Sequence, residues 1–125
     1  MTERDILIAL YDATNGDEWT NNTNWCTDTD LSEWHGVSTD YQGRVISIDL
    51  YSNNLVGTIP AEIGTFEALW TLNLSYNQLS GEIPASIAKL TELRNLYLSR
   101  NKLSGSIPSE MGGMRNLTYC YIYDN

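Results

Sequence analysis

Residues 69–84 read LWTLNLSYNQLSGEIP, and the same pattern returns on both sides with a step of 24 residues. Three polar or turn-forming positions keep this step: Asn53, Asn77, Asn101 and Asn125; Gly57, Gly81 and Gly105; Pro60, Pro84 and Pro108. Two apolar positions keep it as well: Ile48, Leu72, Leu96 and Cys120; Leu50, Leu74, Leu98 and Ile122. Because these positions share one period without an insertion, the sequence predicts a repeat architecture.

Each recurring position predicts a local structure. Leu72 and Leu74 alternate with polar residues, which is typical of a short strand with one buried face. Asn77 follows at an inside turn, where a buried amide can donate to and accept from unpaired backbone groups of neighbouring coils. Gly81 favours a turn with positive φ, and Pro84 favours the start of a short helical or 3₁₀ segment. We therefore assign structural roles to the recurring Asn, Gly and Pro residues.

These units resemble the plant-type class of leucine-rich repeats, whose pattern is LxxLxxLxLxxNxLxGxIPxxLGxL. Residues 45–125 match it over three units and the opening of a fourth. The resemblance implies an α/β solenoid: a right-handed superhelix with a parallel β-sheet on the concave side and 3₁₀ or irregular structure on the convex side. An N-terminal helix and a hairpin are expected to form the cap.

Residues 1–43 lack the repeat and are predicted to form this cap, while residues 44–125 carry the 24-residue units, the last one incomplete. Solenoid ends need a cap because the terminal coil otherwise exposes its apolar face. Thr2 and Asp5 resemble a capping box. Gly16 suits the end of the helix, and segments 34–39 and 44–50 are predicted to pair as a hairpin.

The two cysteines are expected to be unpaired. The resemblance implies a cap disulfide from Cys26 to a position that holds Thr39 here, so Cys26 is expected to be a free thiol. Cys120 occupies a recurring apolar position and is expected to be a small core residue. The resemblance implies an extracellular or cell-surface location, yet the first residues show no signal-peptide pattern, so the compartment stays open.

Composition excludes several function classes. The 125 residues carry a net charge of −9, which argues against nucleic acid as a partner. No apolar run is long enough to span a membrane. His35 and the pair Asp28 and Asp30 are the available chemical candidates, but neither forms part of a catalytic or metal-binding motif. No metal, cofactor or enzymatic activity is expected.

The concave face carries the candidate binding residues. Strand alternation places polar and aromatic side chains outward, and six of the eight tyrosines fall there. Ser75 and Ser99 are also predicted to point outward. Exposed tyrosine and tryptophan suit binding because they offer a large area with few rotatable bonds. The candidate ligand-binding residues are Asp49, Tyr51, Trp70, Asn73, Tyr76, Arg94, Tyr97, Arg100, Tyr119, Tyr121 and Tyr123.

These features lead to a main hypothesis and its alternatives. The first is a non-enzymatic recognition module that binds a protein, peptide or glycan on the concave face. The second is an N-terminal structural segment of a longer receptor, or of an inhibitor of a microbial hydrolase, with self-association through an uncapped C-terminal end that would expose Leu117 and Ile122. The third and least favoured is a hydrolase that uses His35.

Overall fold

A computed structural model describes residues 1–125 and shows a solenoid of stacked coils. Its larger sheet has five strands in the order β1-β2-β4-β6-β8. The first pair is antiparallel and the others are parallel. The sheet is built from β1 (Val37–Thr39), β2 (Val45–Asp49), β4 (Thr71–Asn73), β6 (Asn95–Tyr97) and β8 (Tyr119–Tyr121). The predicted hairpin and parallel concave sheet are confirmed.

A second parallel sheet, which the sequence analysis missed, is formed by the short strands that follow the first three recurring asparagines. It has three strands in the order β3-β5-β7: β3 (Val56–Thr58), β5 (Gln78–Glu82) and β7 (Lys102–Ser104). Each coil then closes with a 3₁₀ helix that begins directly after its recurring proline: Ala61–Thr65, Ala85–Lys89 and Ser109–Gly113. The convex side is therefore part 3₁₀ helix and part sheet.

The recurring asparagines form a buried ladder between coils. The Oδ1 atom of Asn77 accepts from the backbone N–H groups of Asn53 and Leu55, both at 2.9 Å. Its Nδ2 atom donates to the carbonyl oxygens of Leu50 at 3.0 Å and Leu74 at 2.9 Å. These groups belong to turns where no strand partner reaches them. The predicted role of the asparagine is confirmed.

The recurring glycines all have positive φ, as predicted for Gly81, whose φ is 75°. Gly57, with a φ of 139°, is the most constrained, because a Cβ atom there would overlap the carbonyl oxygen of Ala13 in the cap. The first coil and the cap are therefore in direct backbone contact.

The cap begins with α1 (Glu3–Ala13). The Thr2 hydroxyl accepts from the Asp5 N–H and the Asp5 carboxylate accepts from the Thr2 N–H, which confirms the capping box. The prediction for Gly16 was wrong. Asn15 adopts the left-handed conformation after the helix, and Gly16 instead opens a 3₁₀ turn (Gly16–Glu18) against the ring of Tyr11. Asparagine tolerates this conformation better than most residues.

Aromatic side chains fill the cap. Trp19, Trp25 and Trp34 are each at most 5% exposed and pack against one another. The Tyr11 hydroxyl donates to Asp17 at 2.6 Å, and this hydrogen bond raises the pKa of Tyr11 to about 12. The Trp cluster joins the leucine core of the repeats in one continuous set of 26 buried apolar residues.

The prediction for Cys120 was wrong. It pairs with the buried Leu96 in the sheet register, but its side chain is exposed, because β8 is an edge strand and its coil packs against a neighbouring coil on one side only. Leu117 and Ile122 are partly buried against the core. Both cysteines are free thiols. None of the helices combines the length and apolar character needed to cross a bilayer.

Candidate functional site

The concave sheet presents an aromatic surface to solvent. Among its tyrosines, Tyr51, Tyr76, Tyr119, Tyr121 and Tyr123 are 44–57% exposed, and Tyr97 is half-buried. Trp70 is 46% exposed on the same face. Tyr97 points outward because it alternates with the buried Leu96 and Leu98, whereas Tyr76 lies beyond its strand and has a positive φ of 60°. None of the eleven candidate residues is buried.

Two residues that were predicted to point outward are buried instead. Ser75 is 6% exposed and Ser99 is 3% exposed. They occupy one recurring position that holds Tyr51 in the coil before and Tyr123 in the coil after. The Ser75 hydroxyl oxygen accepts from the backbone N–H of Ser99 at 3.0 Å. Two small residues between two large ones therefore create a depression in the face.

We call this depression the tyrosine notch. Its volume is about 160 Å³, and its lining brings together six of the predicted residues with the two buried serines: Tyr51, Asn73, Ser75, Tyr76, Tyr97, Ser99, Tyr121 and Tyr123. The sequence analysis missed the serines as site residues. The signal for them was the small side chain where neighbouring coils place tyrosine.

The walls of the notch are ordered by ring packing. Tyr97 and Tyr121 are stacked with ring centroids 5.5 Å apart and planes 16° apart. On the other wall, Tyr51 and Tyr76 lie 5.0 Å apart at 48°. Such offset and tilted contacts stabilise the side chains they join. The notch is therefore largely formed before any ligand arrives.

The polar groups of the notch are mostly unpaired. Unlike the hydroxyl of Tyr11, the hydroxyls of the notch tyrosines make no hydrogen bond within the protein. The Asn73 Oδ1 atom accepts from the Ser75 N–H at 3.1 Å, while its Nδ2 atom donates to nothing. The buried Ser99 hydroxyl has no partner. The tyrosine hydroxyls and the Asn73 amide can donate to or accept from a ligand, whereas the Ser99 hydroxyl is shielded from solvent.

The charged candidates lie at the rim and are engaged with one another or with aromatic rings. Arg100 forms an ion pair with Asp124 at 2.8 Å, and its guanidinium lies 5.5 Å from the centroid of Tyr76. Arg94 lies 4.8 Å from the centroid of Trp70. Asp49, Trp70, Arg94, Arg100 and Tyr119 stay outside the notch lining.

A second cleft of about 410 Å³ lies at the edge of the face near the cap. Asp40, Glu67 and Glu92 line it beside Trp70, and Asp40 pairs with Arg44 at 2.9 Å. Burial raises the pKa of the neighbouring Glu3, and the charges of Glu67 and Asp40 add to this shift.

The remaining chemical candidates do not come together. His35 is tied into the cap only by its backbone, which accepts from Trp25 Nε1 at 2.9 Å and donates to Thr23 at 3.0 Å. No three His, Cys, Asp or Glu side chains lie close enough to hold a metal ion. The tyrosine notch is thus the place where most of the candidate binding residues come together.

Comparison with known proteins gives the family. The Leucine Rich Repeat family matches residues 44–66, 68–90 and 92–114, more than half of the chain. A probable leucine-rich repeat receptor-like protein kinase of Arabidopsis thaliana is 43% identical over 44 residues, or 35% of this chain. The chain spans 5% of that kinase.

Two solved ectodomains from Arabidopsis thaliana are similar over nearly the whole chain. BIR2 superposes with a TM-score of 0.88 and 30% identity over 99% of this chain and 68% of its own. The second is the ectodomain of GASSHO1/SCHENGEN3, a plant membrane receptor kinase solved in complex with CASPARIAN STRIP INTEGRITY FACTOR 2. It superposes with a TM-score of 0.85 and is 33% identical, over 93% of this chain and 14% of its own length. The protein therefore belongs to the leucine-rich repeat family and carries the plant-type repeat of receptor ectodomains.

Proposed function

We propose that the chain is a non-enzymatic recognition module whose concave face binds a protein, peptide or glycan. In this proposal residues 1–43 close the solenoid and the repeats present the binding residues. The tyrosines, Trp70 and Asn73 make the contacts, while Asp49, Arg94 and Arg100 set polarity at the margins.

One observation carries the proposal: large aromatic side chains are concentrated on a solvent-facing sheet where they fill no core. Five concave tyrosines and Trp70 are 44–57% exposed. Clustered exposed aromatic residues mark interaction surfaces, because each buries a large area at a small entropic cost. The similar ectodomain of GASSHO1/SCHENGEN3 was solved in complex with CASPARIAN STRIP INTEGRITY FACTOR 2, which supports a binding function for this kind of solenoid.

The test is a screen of the purified chain on protein, peptide and glycan arrays, followed by the double variant Tyr97→Ala with Tyr121→Ala. We expect the variant to lose binding to any partner found, at least about tenfold in Kd. Its melting temperature should stay nearly unchanged, because Tyr121 is exposed and the half-buried Tyr97 fills no core position. Tyr41→Ala is the matched control, since Tyr41 is 93% exposed but lies in the cap hairpin. Equal affinity of the double variant would contradict the proposal.

A second candidate function is an end-to-end contact at the last coil. A depression of about 490 Å³ there is lined partly by Ile83, Leu103, Ile107 and Ile122, and Ile107 is 58% exposed. A further coil could cover this surface, either from a longer chain or from a second copy. Light scattering of the 125-residue chain tests whether a second copy binds there: a monomer at micromolar concentration would contradict self-association.

A further inference from the structure

We propose that the tyrosine notch binds one sugar ring of a neutral oligosaccharide. This inference rests on the proposed function and deepens it, because it assigns a ligand class to one place on the concave face. Size, ring geometry, hydrogen-bonding capacity and charge each contribute to the argument.

The size of the notch limits its occupant to one ring or one side chain. Pockets that enclose whole drug-sized ligands measure about 300–1,000 Å³, whereas the notch measures about 160 Å³. The notch therefore holds a single unit, and in the proposed ligand this unit is one ring of a longer chain that continues along the face.

One wall offers an aromatic face. Tyr121 covers one side of the Tyr97 ring, and the preceding coil places the smaller Asn73 at the same recurring position, beside the other side of that ring. The negative face of an aromatic ring attracts polarised C–H groups, and the axial C–H groups of a pyranose form such a surface. Tyr97 can therefore stack on a sugar ring held above Asn73.

The floor distinguishes a sugar from an apolar ring. Asn73 Nδ2 has no acceptor within the protein. A proline or aliphatic side chain above it would shield this amide from water and leave it unpaired, which is costly. A sugar hydroxyl can accept from the amide and can also bond to the tyrosine hydroxyls beside it.

The charge pattern favours a neutral ligand. No charged residue lines the notch. The nearest cation on the rim, Arg100, is already paired with Asp124 at 2.8 Å. A carboxylate or phosphate on the ligand would therefore lose water without gaining an ion pair.

The experiment is titration calorimetry of the full chain with four neutral hexasaccharides: β-1,4-glucose, β-1,3-glucose, β-1,4-xylose and β-1,4-mannose. Hexagalacturonate serves as the charged comparator and a proline hexapeptide as the apolar one. We expect at least one neutral sugar to bind at concentrations up to about 1 mM, at least about tenfold tighter than either comparator.

Variants then locate the binding. Tyr97→Ala should weaken binding of the neutral sugar by about tenfold or more, and Asn73→Ala should weaken it as well. Tyr97→Phe should keep most of the affinity, because the ring face remains, and this keeps the test valid if Tyr97→Ala loses stability. Tyr41→Ala should bind like the wild type.

Two results would overturn the inference: no binding of any of the four neutral sugars, or binding that Tyr97→Ala leaves unchanged. Failure of the sugar proposal is distinguishable from failure of the proposed function. If a protein or peptide from the arrays binds in a Tyr97- and Tyr121-dependent manner while the sugars do not, the recognition face stands and its sugar specificity is refuted.

Discussion

The positions that are identical in every coil differ in kind from those that vary between coils. The recurring asparagines are the same residue throughout, and Asn53, Asn77 and Asn101 are buried with their amides bonded to backbone groups. Two residues before each of them, the chain places Tyr51, Ser75, Ser99 and Tyr123. These side chains differ in size, and the tyrosine hydroxyls and that of Ser99 are unpaired.

The difference teaches where stability and specificity are located in this chain. A group whose hydrogen bonds recur in each coil must keep its chemistry, because a change leaves several buried partners unsatisfied. The variable position can hold tyrosine in one coil and serine in the next, because its side chains make at most one hydrogen bond to a neighbouring coil. The constant positions hold the solenoid together and the variable ones shape the tyrosine notch.

The largest expected effect comes from Asn77→Ala, which tests the constant side of the comparison. It would leave unpaired the N–H groups of Asn53 and Leu55 and the carbonyl of Leu50. We expect the free energy of unfolding to fall by about 4 kcal/mol or more, measured by urea denaturation. The matched change Asn73→Ala on the concave face should cost only about 1–2 kcal/mol, because it removes a single acceptor, that of the Ser75 N–H. Equal losses would break the comparison.

A smaller effect is expected when Gly57 or Gly43 is replaced, two glycines that both have positive φ. Gly57→Ala should cost about 3 kcal/mol, because its φ is 139° and the new Cβ would overlap the Ala13 carbonyl oxygen. Gly43→Ala, in the hairpin turn with a φ of 80° and open space around it, should cost about 1 kcal/mol. Thermal unfolding of the two variants measures the difference. If both lose the same stability, contact with the cap contributes nothing.

The smallest effect is expected within one variable position, where Ser75 and Ser99 can be compared directly. Ser75→Ala removes the acceptor of the Ser99 N–H and should cost about 1–2 kcal/mol. Ser99→Ala removes a buried hydroxyl that has no partner, so stability should change by less than about 0.5 kcal/mol. Chemical denaturation of both variants gives the two values. A large loss for Ser99→Ala would mean that its hydroxyl has a structural hydrogen-bond partner.

Periodicity in the sequence predicted the strands, the asparagine ladder and the outward tyrosines, and the resemblance to plant-type repeats implied the concave sheet. These features depend on which residues recur, and the 24-residue step fixes their register. The capping box was equally readable, because its two partners are three residues apart.

Features that depend on three-dimensional closeness were not readable. The second sheet uses strands of three to five residues whose alternation is too short to distinguish from a turn. The burial of Ser75 and Ser99 depends on the tyrosines around them, and the exposure of Cys120 depends on what covers its coil. The sequence therefore predicted six of the eight residues that line the notch, but neither its two serines nor its shape.

The asparagine ladder also gives the molecule a direction of assembly. Asn53 bonds to Asn21 in the cap, Asn77 bonds to the first coil, and Asn101 and Asn125 each bond to the coil before them. Each new coil thus finds its partners in chain that has already been made, in the order in which a ribosome releases it. Folding can therefore proceed like a zipper from the cap, with each finished turn serving as the template for the next.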